Sequence, residues 1–305
     1  MNGIINIYKE KGVTSSKVVG AVKKILNVSK CGHLGTLDPL AVGVLPICVG
    51  YGTRFADYIS ASNKVYVASF KLGISTDSYD IEGKTLKENN DIIPTIDEIK
   101  SELLKLVGNV ELKVPAFSAK KINGVRAYEL ARKGELEDAG TFSMIIDSID
   151  LLTYEYPYGV IRVSCSKGTY IRSIINTLGE NLGCFAIMTE LERKVNGVFH
   201  SDKAITLDKL KELNNLRQIG SCKVTDYITP VEEILNWPIA IVKDGALPKL
   251  FNGMSPGAKD YLSLPIEENG DNFFIQNQKR KLVAVASRQD FSKEPLKLKM
   301  VFNNR

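Results

Sequence analysis

Residues 31–46, CGHLGTLDPLAVGVLP, constrain this chain more than any other stretch. Gly32, Gly35 and Gly43 permit tight turns and let another segment approach the backbone closely. Between His33 and Arg54 the one acidic or basic side chain is Asp38. A carboxylate set among glycines and apolar residues is partly desolvated unless something pairs with it. Two readings follow. Asp38-Pro39 can be a turn whose carboxylate caps nearby N–H groups, or the carboxylate can be held for chemistry. The spacing is neither G-x-x-x-x-G-K-[ST] nor G-x-G-x-x-G, so it is not a phosphate or dinucleotide loop. The apolar run Leu40–Gly52 spans about a dozen residues and contains Pro46, whereas a membrane-crossing helix needs roughly twenty.

The flanking sequence alternates helices and strands. Thr14-Ser15-Ser16 offers an N-cap for a helix carrying Val18, Val19, Val22, Ile25 and Leu26. Lys64–Ile74 reads as a strand with Tyr66, Ala68, Phe70 and Leu72 on one face. Thr95-Ile96-Asp97-Glu98 is a capping box, with Gly108 as a stop. Ile161, Val163 and Cys165 alternate, and after Lys167-Gly168 a helical stripe runs from Ile171 to Leu182. Without a strict βα rhythm, this pattern predicts an α+β fold. The length of 305 residues predicts two domains. The character changes near Trp237-Pro238, which predicts a core over 1–237 and a small, mostly β domain over 238–305.

Charge is unevenly placed. The whole chain carries +5, yet residues 1–37, 113–133 and 270–305 each carry +5, so the remainder is acidic. Three basic segments can converge on one face for a polyanion, although charge runs are commonly plain solvated surface. The five cysteines are widely spaced with no C-x-x-C, and His33 and His200 are the sole histidines. That predicts reduced thiols, no zinc site and a cytoplasmic protein. The N-terminus lacks the basic and apolar regions of a secretory signal.

Five blocks then fall in a recognisable order. The first is Gly32-His33-x-Gly35-Thr36-Leu37-Asp38-Pro39-x-Ala41-x-Gly43-Val44-Leu45-Pro46. Lys64-Val65-Tyr66 with residues 72–80 and Gly83 forms the second, and residues 114–132 the third. Residues 165–173, CSKGTYIRS, are the fourth, and Leu191-Glu192-Arg193 the fifth. Together they resemble the bacterial tRNA pseudouridine-55 synthases over residues 2 to about 200. The tail loosely resembles the PUA-like domain that closes many members. Leu34 stands where the family usually has a small or polar residue, and Ala116-Phe117 replaces the commoner Pro-Tyr. These departures touch local RNA contacts and leave the reaction class alone.

The resemblance implies a pseudouridine synthase core with a mixed, mainly antiparallel sheet. It implies isomerisation of a uridine in the tRNA T-loop, chemistry that requires no cofactor, and nothing in the sequence calls for a membrane, an obligatory protein partner or more than a monomer. Asp38 matches the family's catalytic aspartate, Arg172 its active-site arginine and Tyr66 its active-site tyrosine. Read without the family, Arg172 is an exposed residue in a first helical turn and Tyr66 a core tyrosine. Leu191 matches an apolar residue of the base pocket; plain core packing is its alternative. His33 is expected to intrude into the RNA loop. Lys17, Lys23, Lys24, Lys120, Lys121, Arg126 and Arg132 are phosphate candidates. Attack on C1′, attack on C6 and a glycal route all remain open. Two rival functions are a non-catalytic RNA-binding protein on this scaffold and a hydrolase with an aspartate nucleophile. Retaining glycosidases need a second carboxylate about 5 Å away, and none lies near Asp38 in sequence.

Overall fold

The computed structural model describes residues 1–60, 62–115, 117–118, 121–122, 124–132, 135, 140–265, 271–288 and 295–303. They divide into two units, Met1–Ile228 and Thr229–Arg305. The sequence shift at Trp237-Pro238 lies inside the second unit. Helix Val231–Leu235 precedes it there, and the Trp237 ring packs against Phe274 with centroids 4.9 Å apart.

The first unit is built on a nine-stranded mixed sheet. Its main path runs Gly3–Lys9, Val42–Val49, Ala186–Asn196, Lys64–Leu72, Tyr158–Cys165, Thr141–Glu155 and Gly108–Lys113. Cys31–His33 and Phe199–His200 pair beside it. Lys64–Leu72 reads KVYVASFKL, and its alternation buries Tyr66, Ala68, Phe70 and Leu72 on one face, as expected of a strand with one face on a core. Helices Ser15–Leu26, Ile96–Lys105, Ile171–Asn181 and Leu207–Gln218 add Val22, Ile99, Ile174 and Leu210 to the same apolar cluster. The Thr14 hydroxyl accepts from the Lys17 N–H, and the Thr95–Glu98 capping box is formed in both directions. Each cap satisfies donors that a helix start otherwise leaves unpaired.

Every join along the main path is antiparallel except one. Strands Val42–Val49 and Ala186–Asn196 run parallel, with Val42 opposite Glu192 and Gly43 opposite Arg193. Gly43 makes this seam possible. Its φ is +103°, and a Cβ there would stand 2.4 Å from the Arg193 carbonyl oxygen.

The second unit has a five-stranded sheet in the order Tyr261–Ser263, Ile239–Val242, Asn272–Gln276, Leu282–Arg288 and Leu296–Val301. It has its own apolar core, including Val242, Leu250, Phe273, Ile275 and Ala284. No helix among the described residues is long and apolar enough to cross a membrane.

Candidate active site

The loop between strands Cys31–His33 and Val42–Val49 carries Asp38, and side chains from distant elements hold its backbone. Ser15 both accepts from the Leu37 N–H at 2.9 Å and donates to the Leu37 carbonyl at 3.0 Å. The fully buried Lys9 donates to the Pro39 carbonyl at 3.2 Å and to that of Glu10 at 2.9 Å. Arg193 donates from Nε to the Val44 carbonyl and from Nη2 to that of Gly35, while the Asn196 amide reaches the Leu34 carbonyl. The Ala41 N–H closes a turn on the Asp38 carbonyl at 3.1 Å. So the Asp-Pro turn of the bland reading exists, but its carboxylate is engaged elsewhere.

That engagement is with Arg172, in the first turn of helix Ile171–Asn181. Its Nη2 lies 2.9 Å from Asp38 Oδ2, with the arginine side chain 6% exposed and the aspartate 38%. Nη2 also donates to the Phe117 carbonyl at 3.1 Å. Nη1 meets the Ser78 carbonyl at 3.0 Å and Asp80 Oδ2 at 3.3 Å. Asp80 is itself buried and accepts from the Ser78 hydroxyl at 2.6 Å and the Glu82 N–H at 3.1 Å. A buried guanidinium is tolerable only when its fork is filled this way. The first-turn position reads as exposed in sequence because none of these acceptors is local to the helix.

Asp38, Arg172, Tyr66, Leu191 and His33 line one cleft of about 590 Å³. Tyr66 stands opposite Arg193 in register and Leu191 opposite Ala68. The Tyr66 ring and the Leu191 side chain are nearly buried, so the cleft floor is largely apolar. Burial raises the Tyr66 phenol above its usual value, and Arg193 is the main influence opposing that rise. A second cleft, of about 660 Å³, shares His33, Asp38 and Arg172 and continues past Ser16, Asp77 and Lys84.

Several functional neighbours were not singled out in the sequence. Lys9 carries the signal most openly, since Ile5, Ile7 and Lys9 fall on one buried face of their strand. Burial pulls its ammonium group down to about 8, with Asp38 pushing the other way. Lys64 is likewise lowered to about 8 by burial and by Arg193, and it donates to the Ser60 and Ser62 carbonyls. Asp80 and Arg193 sit inside the second and fifth blocks, but nothing in their spacing reveals their partners.

The phosphate candidates are placed less centrally. Lys17, Lys23 and Lys24 are exposed on helix Ser15–Leu26 and stand outside the walls of both clefts. Lys120 lies outside the described residues, as does Ala116. The backbone sets Lys121 opposite Arg126 in a two-strand ladder and ends helix Ala127–Arg132 at Arg132. The cations that do line the first cleft are Lys64, Lys167, Arg172 and Arg193, all from the sequence blocks.

Comparisons with known proteins bear on the family of the chain. Residues 23–171 match the TruB family pseudouridylate synthase N-terminal domain, and 172–236 the tRNA pseudouridylate synthase B C-terminal domain. The chain is 40% identical over 299 residues to the tRNA pseudouridine synthase B of Clostridium kluyveri, covering 98% of this chain and 99% of the relative. It is 44% identical over 263 residues to that of Clostridium novyi, covering 86% and 88%. To that of Francisella philomiragia it is 41% identical over 222 residues, covering 72% and 74%. Among solved structures, one of an H/ACA RNP bound to a substrate RNA containing 2′-deoxyuridine matches with a TM-score of 0.69 at 26% identity. That match covers 99% of this chain and 86% of the other. A chain from a Cbf5–Nop10–Gar1 complex matches with the same score at 28% identity, covering 99% and 85%. With two family domains in tandem and relatives this similar along nearly its whole length, the chain belongs to the TruB family of pseudouridylate synthases.

Proposed function

We propose that this chain converts a uridine in the T-loop of tRNA, position 55, to pseudouridine, with Asp38 as its catalytic carboxylate. The observation that carries the assignment is the Asp38–Arg172 pair, 2.9 Å apart, at the edge of a cleft floored by Tyr66 and Leu191.

The reaction conserves every atom. The C1′–N1 bond breaks, the uracil turns, C5 bonds to C1′, the C5 proton leaves and N1 gains a proton. No electrons or groups leave the substrate, so the chemistry requires no cofactor. Arg172 fixes Asp38 through Oδ2 and, being itself held by Asp80 and two carbonyls, cannot follow the substrate. Such preorganisation places the carboxylate against the sugar or base without reorganisation during the reaction. The three routes (attack on C1′, attack on C6, and glycal formation) all need that placement.

Tyr66 and Leu191 supply the apolar floor against which the uracil packs. With its phenol raised by burial, Tyr66 arrives protonated at neutral pH. Its oxygen can accept a substrate proton only after giving up its own, and Arg193 favours the phenolate that would do so. To bring its glycosidic bond to Asp38 the uridine must leave its stack, at a cost of a few kcal/mol. His33 lines both clefts, which supports its reading as the residue that braces the vacated loop.

The chain acts on tRNA as a monomer without an obligatory protein partner, and does so in the cytoplasm. The five cysteines are free thiols, as a reducing compartment keeps them. The second unit is a PUA-like clamp on the rest of the tRNA.

Mapping pseudouridine in a T-arm stem-loop after incubation with the chain, without added metal or nucleotide, tests reaction and substrate together. Asp38→Asn is expected to abolish conversion while RNA affinity, measured by filter binding, stays within about tenfold. Turnover in that variant would remove Asp38 from the chemistry.

A further inference from the structure

Strand Thr141–Glu155 starts with a residue out of keeping with its face. Phe142, Met144 and Ile146 share one side by the two-residue period of a strand, and Phe142 stands opposite Leu112 in register. Met144, Ile146 and Leu112 are buried in the core, whereas Phe142 is 45% exposed. The core ends before it. Phe142 instead helps to line the cleft that holds Asp38, Tyr66 and Arg172. Its Cε1 lies 3.6 Å from where a Cβ on Gly168 would stand, so the ring rests over the turn that leads to Tyr170 and Arg172. Lys167, also on the cleft wall, is exposed beside that turn.

A single exposed phenyl on open surface needs no explanation. This one is part of the wall of a substrate cleft, seated on a glycine turn, with a cation from the adjoining residue. A flat apolar face beside an exposed positive charge matches one nucleotide unit, a base to stack and a phosphate to neutralise. Extruding the target uridine also strips its neighbours of a stacking partner.

We infer that Phe142 is a substrate-positioning residue, a stacking platform for a nucleobase adjacent to the flipped uridine. The inference rests on the reading of this cleft as the uridine site. Phe142 replaces the lost stacking partner, holding the opened loop in register with Asp38 without touching the reacting atoms.

The test is steady-state kinetics on a T-arm stem-loop with a series at position 142. Phe142→Ala should raise KM about tenfold, the scale of one lost base–aromatic stack, with kcat changed by less than about threefold. Phe142→Tyr and Phe142→Trp keep a π face and should stay within about threefold of the parent KM. Phe142→Leu keeps apolar bulk over Gly168 but offers no π face, and should behave like the alanine variant. A stem-loop made abasic at the stacked neighbour should bind the parent as weakly as intact RNA binds Phe142→Ala, and should show no further loss with that variant. A leucine variant with the parent KM would overturn the inference and make the ring a prop for the Gly168 turn. So would an alanine variant impaired in kcat or thermal stability alone. Those results arise in a chain that still makes pseudouridine. Absence of pseudouridine from the parent chain would instead sink the uridine-site reading, and the inference with it.

Discussion

At the scale of single residues, Arg172 decides most. One guanidinium joins two carboxylates and two backbone carbonyls from segments far apart in sequence. A lysine keeps the charge but has no planar fork to reach all four. Arg172→Lys is therefore expected to lower kcat by about a hundredfold or more, the cost of misplacing a catalytic group by about an ångström. Single-turnover conversion of the stem-loop measures it; near-parental turnover would mean that charge alone suffices. Lys9 yields a prediction in pH. Its folded pKa of about 8 lies below the 10.5 of the unfolded chain, so between those values the unfolded state binds more protons. Stability contributed through Lys9 therefore rises with pH in that window, by up to about 1.4 kcal/mol per unit. Below about pH 8 its buried charge opposes folding. Denaturant unfolding at pH 7.5 and 9.5 should show a shallower pH slope in Lys9→Met than in the parent. Equal slopes would place the titration elsewhere. Asp38 could be singled out in sequence because it stands alone among glycines and apolar residues. Asp80 could not, since an aspartate in a polar turn looks like surface until Arg172 arrives to bury it.

At the scale of elements, local signals were readable wherever the cause was local. Thr14 and Thr95 cap the helices that their sequences announce, and alternation exposes the buried face of Lys64–Leu72. The sheet order was not readable, because pairing depends on segments that meet only in the folded chain. The three basic segments likewise suggested one convergent face, yet the cations lining the first cleft come from the sequence blocks. The parallel seam is the least local of these features. Gly43→Ala would place a methyl group against the Arg193 backbone at a positive φ. It should destabilise the chain by roughly 2–5 kcal/mol. The thermal midpoint should fall by roughly 5–15 °C, and activity should fall with it as Arg193 loses its hold on the Asp38 loop. Calorimetry with parallel activity assays measures both, and an unchanged midpoint would show that the seam can relax.

At the scale of the whole molecule, the two units have separate cores. The residues proposed to carry the chemistry belong to Met1–Ile228, and the second unit carries part of the basic tail. Deleting 229–305 should leave turnover of an isolated T-arm stem-loop within about threefold while weakening binding of full tRNA by roughly tenfold or more, as expected when one of two linked contacts is lost. Equal losses on both RNAs would make the second unit a structural support. The seam also gives the molecule a history. The loop that presents Asp38 is made early in synthesis, yet Arg193 and Asn196, which pin it, come much later in the chain. Contacts of such sequence separation form late in folding. A nascent chain stopped short of residue 193 would hold the Asp38 loop through Lys9 and Ser15 but without Arg193 and Asn196. The Asp38 loop thus gains its full set of anchors only once the chain has been made as far as Asn196.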